Sequence, residues 1–300
     1  MAREKKIEIG ALNITMHPHS PDKYIELFKK VRRLKLIKSI RSDKYGMLTS
    51  VHYVDKEKYG ELGPIYGDIY RFTQIDVKGS WFNTETIDKA EDDDLEDISI
   101  PQHLKPNSSR FSYIFFPDSH LMFYEQYYDG HTFGHTNAVT LIERLFNDSQ
   151  LNDRFGVVDV TAMPCMNELS EALGMEKLEK LDLRIRRPNP DDQSEAEKEV
   201  LKRMNALNVA EQKQEYKAIA GNSIEPDKEL RILANIAAKF GEVTAKGKDK
   251  MSKPVEYITS KHPWKDKVYY DPAVENAFDM FLVKVISVKD DLLSWFKYDE

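Results

Sequence analysis

Residues 111–128, FSYIFFPDSHLMFYEQYY, carry the clearest structural pattern in the chain. Two runs rich in aromatic residues flank 117–120 (PDSH), whose proline, aspartate and serine favour a tight turn. The pattern predicts an antiparallel hairpin. Its aromatic side chains could stack on nucleic-acid bases, but we expect them to fill a core between a sheet and its helices.

Further strands are predicted on both sides of this hairpin, at 7–16, 47–54, 65–75, 157–163 and 181–187. Ser20 and Pro21 form a favourable N-cap and first turn for a helix. The apolar face of that helix consists of Tyr24, Leu27, Phe28 and Val31. We therefore predict an α+β fold, in which a mostly antiparallel sheet with packed helices is followed by a mainly helical C-terminal region.

The segment 188–194 (PNPDDQS) interrupts these patterns and is the best candidate for a domain boundary. We predict a mixed domain at 1–188 and a mainly helical domain with a basic hairpin or loop at 189–300. Helices are expected at 194–220 and 230–240, and a last helix is expected to be capped by Asp271. That helix repeats apolar residues at steps of four and three, which indicates a core helix or, alternatively, the seam of a homodimer.

The composition indicates a globular protein of the reducing cytoplasm. The chain has 44 lysine and arginine residues against 51 aspartate and glutamate residues, a net charge of −7, and one cysteine. A single cysteine excludes an intramolecular disulfide framework. We expect no secretory signal near the start, and the apolar runs are too short for a membrane span.

Positive charge is concentrated in two stretches in spite of the net negative charge. Residues 28–44 hold eight lysines and arginines against one acid, and residues 246–267 hold seven lysines together with Tyr257 and Trp264. Such concentration suggests contact with the phosphates of a nucleic acid, most simply DNA. The candidate contacts are Arg32, Arg33, Lys35, Lys38, Arg41, Arg184, Arg186, Lys246, Lys248, Lys250 and Lys253, with Trp264 stacking on bases. Two alternatives are solvated lysine-rich faces and a surface that binds an acidic protein.

Residues 85–97 have the opposite character, with eight acids and one lysine. Little in this segment can be buried, so we expect a solvated or disordered loop. A mask that competes for the basic stretches is the alternative.

Catalytic motifs are mostly missing from the sequence. There is no phosphate-binding loop, dinucleotide turn, kinase signature, nucleophile elbow or zinc-protease motif, and one cysteine excludes a zinc finger. The pairs His17/His19 and His131/His135 could chelate a metal, but we expect loop histidines, no metal and no cofactor. We assign no catalytic residue and lean towards a protein without enzymatic activity.

Two short patterns support the enzymatic alternative, a metal-dependent hydrolase of nucleic acid or nucleotides. Asp159 lies in an apolar strand and is the first acid to test, although an ion pair with a basic residue or the capping of backbone groups is the expected role. The tripeptide Glu211-Gln-Lys213 matches part of a metal-dependent nuclease pattern, but we expect it to lie in a helix.

The order of elements supplies a further clue. The aromatic hairpin is followed by a capped helix, a strand, a short helix, the basic strand 181–188 (LDLRIRRP) and a lysine-bearing helical region. This layout is similar to that of the Rex-type phage-exclusion proteins and of uncharacterised bacterial proteins from antiphage settings. The resemblance covers the middle and C-terminal parts and assigns no site residue. It implies a dimeric DNA-binding sensor without enzymatic activity that works with a separate effector protein.

Overall fold

A computed structural model describes residues 4–77, 79–96, 98–189 and 194–295. Helices are interspersed among runs of strands in an α+β arrangement. The elements are β1 (Lys5–Met16), α1 (Pro21–Leu34), β2 (Lys38–Arg41), β3 (Lys44–Leu48), β4 (His52–Tyr53), α2 (Lys56–Tyr59), β5 (Ile65–Thr73), β6 (Phe82–Asn83), β7 (Asp88–Lys89), α3 (Asp92–Leu95), β8 (Ser109–Phe116), β9 (Leu121–Tyr128), β10 (His131–Thr132), α4 (His135–Phe146), α5 (Asn152–Phe155), β11 (Val158–Ala162), α6 (Met166–Leu173), β12 (Lys177–Arg186), α7 (Glu195–Leu207), β13 (Glu211–Lys217), α8 (Lys228–Phe240), β14 (Gly241–Lys248), β15 (Pro254–Ile258), a 3-10 turn η1 (Thr259–Lys261), β16 (Lys265–Tyr270) and α9 (Ala277–Ser294).

The hairpin predicted from 111–128 is confirmed and lies in the middle of the first sheet. Strands β8 and β9 pair antiparallel from Tyr113↔Tyr124 to Phe116↔Leu121. Among the described residues the main path of this antiparallel sheet is β11-β1-β9-β8-β5-β3-β2, with β4, β10 and β16 as side branches. The long strand β1 pairs with β9 along one edge, while β16 and β11 share its other edge.

Helices cover both faces of the first sheet, and the aromatic hairpin supplies the core on each side. Phe111, Tyr113 and Phe115 face α1 and α4, whereas Ile114 and Phe116 face α9. This alternation follows from the period of two along a strand. All these side chains are buried. The expectation that the hairpin aromatics form a core is therefore confirmed, and they offer no exposed stacking platform.

A second sheet, of order β13-β12-β14-β15, packs its apolar face on α6, α7 and α8. Its middle strand β12 precedes residue 188, but both neighbours of β12 follow that residue. The division expected at 188/189 therefore cuts through this sheet, and part of the expected break, 190–193, lies outside the described residues. Helix α8, which packs on the second sheet, contacts the first sheet where the carbonyl oxygen of Lys239 accepts hydrogen bonds from Asn13 Nδ2 (3.3 Å) and Thr161 Oγ1 (2.8 Å).

The expectation of a mainly helical C-terminal region is only partly met. Helices α7, α8 and α9 are present, but β13 to β16 lie between them, and the helix expected at 194–220 ends at Leu207. The pairing of β13 with β12 outweighs the helical propensity of its glutamate and lysine residues. The last helix begins after Asn276, whose side chain accepts from the backbone N–H groups of Phe278 and Asp279, and not at Asp271.

The acidic segment contains short regular elements. Strands β6 and β7 pair with each other, and α3 follows as a single turn closed by a capping box between Glu91 and Asp94. Most of its described side chains are exposed, as expected for a solvated segment. Asp97 lies outside the described residues.

Candidate nucleic-acid interface

Four of the predicted phosphate contacts are exposed in the segment that runs from the last turn of α1 to the end of β2. Arg32 and Arg33 lie in the last turn of that helix, Lys35 follows it, and Arg41 ends β2. Helix α1 ends because Lys35 takes the left-handed conformation (φ 51°), and the Leu36 N–H then donates to the Val31 carbonyl. We call Arg32, Arg33, Lys35 and Arg41 the N-terminal basic surface.

The four side chains of the N-terminal basic surface form no ion pair with any residue that the structure describes. All four side chains are exposed. Within the described parts of the chain, no carboxylate lies within 4.0 Å of their charged nitrogens; Arg32 Nε instead donates to the Thr49 carbonyl at 3.4 Å. Their charge also suits the negative end of the helix dipole, which gives Arg32 and Arg33 a structural role in the absence of any partner.

Lys38, by contrast, forms an ion pair and is not counted in the N-terminal basic surface. Its Nζ lies 2.6 Å from Asp148 Oδ2. The hydrogen bond from Lys38, together with the Gln150 N–H, lowers the pKa of the Asp148 carboxyl. Asp148 therefore offsets the charge of Lys38, and a phosphate contact by Lys38 stays a prediction that this ion pair makes less favourable.

The polar face of the second sheet is internally neutralised as well. Arg184 Nε lies 2.6 Å from Glu211 Oε2, and Lys246 Nζ lies 2.6 Å from Glu256, its cross-strand partner. Lys248 lies 4.0 Å from Glu179. Cross-strand contacts of this kind stabilise a sheet but leave little net field for a polyanion.

The ion pairs continue across the middle of that face. Lys180 Nζ lies between Asp182 (2.9 Å) and Glu215 (2.8 Å). Its hydrogen bond, with one from Lys217, lowers the pKa of Glu215 to about 2. Lysines and acids therefore alternate over this face, which does not have the single sign that a phosphate backbone requires.

Lys250 and Lys253 lie in the turn between β14 and β15. Both are exposed, and in the described chain no carboxylate pairs with either ammonium group. The Asp249 carboxylate accepts instead from the backbone N–H groups of Met251 and Lys253 and fixes the turn. This turn is a second, smaller site of unneutralised positive charge.

Trp264 cannot stack on a base. Its side chain is only 7% exposed, and its ring lies edge-on to Phe123 with centroids 5.8 Å apart. Tyr257 is also buried and stacks on His262. The stacking role expected of Trp264 is wrong because β16 pairs with β1 and the tryptophan is buried beneath the first sheet.

Asp159 has the ion pair that its sequence context suggested. Its Oδ1 lies 3.1 Å from Arg186 Nη1, and Glu143 Oε1 lies 3.8 Å from the same nitrogen. Burial raises the pKa of Glu143, and Arg186 opposes that shift. The two carboxylates thus hold the guanidinium of Arg186 through Nη1 and offset its charge, and a phosphate contact by Arg186 stays a prediction.

The candidate metal ligands do not converge. In the described residues no group of three or more histidine, cysteine, aspartate or glutamate side chains could hold a metal ion. His131 lies in β10 and His135 begins α4, while His17 faces the Arg187 carbonyl. Glu211-Gln-Lys213 lies on a strand and not in the expected helix, and its Glu211 carboxylate is engaged by Arg184 and Lys213.

A sequence comparison places this chain in a family. The profile of a family described as Domain of unknown function (DUF4747) matches residues 5–286. The chain belongs to the DUF4747 family. No curated protein matches the sequence. The family description names no activity or partner, so DNA binding and a role in phage exclusion stay predictions.

The DUF4747 fold brings together charged groups that sequence reasoning missed. Glu143 and Lys261 lie near the two β12 arginines, at the junction between the sheets. The sequence does not show this proximity, because Glu143, Lys261 and the two arginines are far apart along the chain. Only Glu143 and His135 share one helix.

Of the helices in the described chain, none is long and apolar enough to cross a membrane.

Proposed function

We propose that this protein binds the phosphate backbone of nucleic acid, DNA in the first instance, through the N-terminal basic surface, and performs no chemical step on it. The observation that carries this proposal is that some of the predicted phosphate contacts are paired with acidic side chains and others are not. Lys38, Arg184, Arg186, Lys246 and Lys248 have acidic partners, whereas Arg32, Arg33, Lys35 and Arg41 have none among the described residues.

The geometry favours contact with phosphates over reading of bases. The candidate stacking residues Tyr257 and Trp264 are buried. Contacts to phosphates fix position but carry no sequence information. Binding should therefore tolerate any sequence and weaken steeply with salt, because each neutralised phosphate releases a counterion.

The wider role follows from the resemblance to Rex-type exclusion proteins. We propose a cytoplasmic sensor or accessory component of antiphage defence that acts as a homodimer and signals to a separate effector protein. Helix α9 packs on the first sheet through Phe281, Val285 and Leu292, which supports its reading as a core helix. Val283 and Ile286 are exposed on the same helix and are available to a second copy.

A pair of charge-reversal variants tests the proposal. Arg33→Glu with Lys35→Glu changes the N-terminal basic surface, and Lys202→Glu with Arg203→Glu makes the same change on the exposed side of α7. Fluorescence anisotropy with a labelled DNA duplex should show binding by wild type and the α7 variant, and loss of about tenfold or more in the first variant. Circular dichroism would verify that both variants fold.

Two results would overturn the proposal. Equal affinity of both variants would remove the N-terminal basic surface from the interface. Degradation of the DNA on a gel with Mg²⁺ or Mn²⁺ would contradict the absence of a chemical step, provided that the Asp159→Asn variant lacked it.

A further inference from the structure

A cleft of about 350 Å³ lies between the two sheets, away from the N-terminal basic surface. Helix α4 and strand β11 of the first sheet form one wall, and β12, the start of β14 and η1 form the other. Its volume lies at the lower end of the range for small-molecule sites, about 300 to 1,000 Å³. The cleft has the size of a single nucleotide.

Three cations converge on this cleft. Arg184 and Arg186 project from the same face of β12, and Lys261 comes from η1. Glu242 is the one carboxylate in the lining, and it already accepts a hydrogen bond from Ser260 Oγ at 2.6 Å. Among the side chains that line the cleft, cations therefore outnumber carboxylates, although acids outside the lining pair with both arginines.

The two arginines are held in place from outside the cleft. Glu211 engages Nε of Arg184, and Asp159 engages Nη1 of Arg186, but neither acid lines the cleft. Each guanidinium keeps further N–H groups for a ligand, because it carries five donors in a fixed fork. Carboxylates that orient an arginine in this way prepare it to bind an anion, and the planar fork matches phosphate oxygens.

Lys261 differs from the arginines because it forms no ion pair within 4.0 Å in the described chain, although its charge helps to lower the pKa of Glu256. It is exposed and has no carboxylate within 4.0 Å of Nζ. A compact ammonium group at the mouth of a cleft with two oriented guanidinium groups suits a doubly charged phosphate monoester.

The remaining lining fits the rest of a nucleotide. Val139 and Ala162 form a partly buried apolar strip, whereas Val160 is only 2% exposed, and the hydroxyl groups of Thr136 and Thr140 lie on the same wall. An apolar strip with a few polar groups is the usual composition of a site for a flat ring and a sugar. Burial lowers the pKa of His135 at this wall, although a hydrogen bond with the Ser260 backbone opposes the shift.

We propose that this cleft binds the phosphate monoester of a mononucleotide, with Arg184, Arg186 and Lys261 at the phosphate and Val139 and Ala162 against the base. This site is independent of backbone binding at the N-terminal basic surface. The source of the monoester is a free nucleotide or the 5′-phosphate end of a strand, which share the same chemistry.

Isothermal titration with the four ribonucleoside 5′-monophosphates, the matching nucleosides and inorganic phosphate tests the proposal. Wild type should bind at least one monophosphate with a Kd below about 1 mM and its nucleoside much more weakly. Lys261→Ala should weaken binding about tenfold, because it removes a hydrogen bond to a charged group. Lys261→Glu should abolish binding, because it puts a negative charge beside the phosphate. Lys202→Ala removes an exposed lysine elsewhere and should bind like wild type.

The proposal is overturned if no monophosphate binds the folded protein, if the nucleoside binds equally well, or if Lys261→Ala binds like wild type. A 5′-phosphorylated oligonucleotide that gains affinity over its unphosphorylated form, and loses that gain in Lys261→Ala, identifies a strand end as the source. The double variant Arg33→Glu with Lys35→Glu should keep mononucleotide binding, so failure of one proposal is distinguishable from failure of the other.

Discussion

We predict that ionisation of the buried Glu125 lowers the free energy of unfolding as the pH rises through neutrality. This residue on β9 is 1% exposed, and its carboxylate accepts the Ser112 backbone N–H at 2.6 Å. Burial raises the pKa of Glu125 from 4.5 to about 7, although the Ser112 hydrogen bond opposes the shift. The folded protein therefore binds the proton more tightly than the unfolded chain does.

The sign and size of the effect follow from proton linkage. Between the two pKa values the folded state holds more protons, so the free energy of unfolding falls as the pH rises. From pH 5.0 to 8.5, folded and unfolded pKa values of about 7 and 4.5 give a loss of about 2.5 kcal/mol. Glu125→Gln removes the titration and keeps an oxygen that can accept the Ser112 N–H.

The assay is urea unfolding of wild type and Glu125→Gln at pH 5.0 and 8.5. The stability of the variant relative to wild type should increase by about 2.5 kcal/mol between these pH values. Comparing the two proteins cancels the contributions of the other titrating groups to the free energy of unfolding. One of these groups is His120, whose pKa is lowered to about 3 by burial and whose titration has the opposite effect on stability. Glu199→Gln, at an exposed site, should change little. A pH-independent difference for Glu125→Gln would refute the reasoning.

Two further changes probe the core. Glu197→Gln should destabilise the protein by about 3 to 5 kcal/mol in urea unfolding, because Glu197 forms a buried ion pair with Lys239 at 3.2 Å. Glu195→Gln, next to exposed Lys198, should cost less than about 0.5 kcal/mol, and equal losses would contradict this assignment. Trp264→Ala should cost about 3 to 5 kcal/mol. The folded fraction of that variant should bind DNA like wild type in fluorescence anisotropy, and selective loss of binding would restore the stacking role.

The elements that could be predicted from the sequence are those whose own residues carry the turn, cap and apolar signals. The hairpin at β8 and β9 follows from its aromatic runs and turn residues, and α1 follows from Pro21 and its apolar face. The segment β13, EQKQEYK, has no such signal, because its residues favour a helix and its strand conformation depends on pairing with β12. Asp271 resembled an N-cap, but the Asp271 N–H bonds to Glu275 within a turn before α9.

The candidate interface was harder to predict, since charge in a sequence does not reveal its partners. Lys246 is paired because the register of β14 and β15 sets it opposite Glu256. Lys38 lies next to Asp148 because α4 packs against β2. By contrast, the last turn of α1 and the residue after it present their cations to solvent, which the amphipathic pattern of that helix already indicated.

The salt dependence of DNA binding tests the central claim most directly. With four phosphate contacts at the N-terminal basic surface, log K should fall against log salt with a slope of about −3.6, or about 150-fold between 50 and 200 mM. The double variant Arg33→Glu with Lys35→Glu should show a slope of about −1.8 or shallower, while the Lys202→Glu with Arg203→Glu variant keeps the wild-type slope. Identical slopes in all three proteins would contradict the assignment of this surface to DNA.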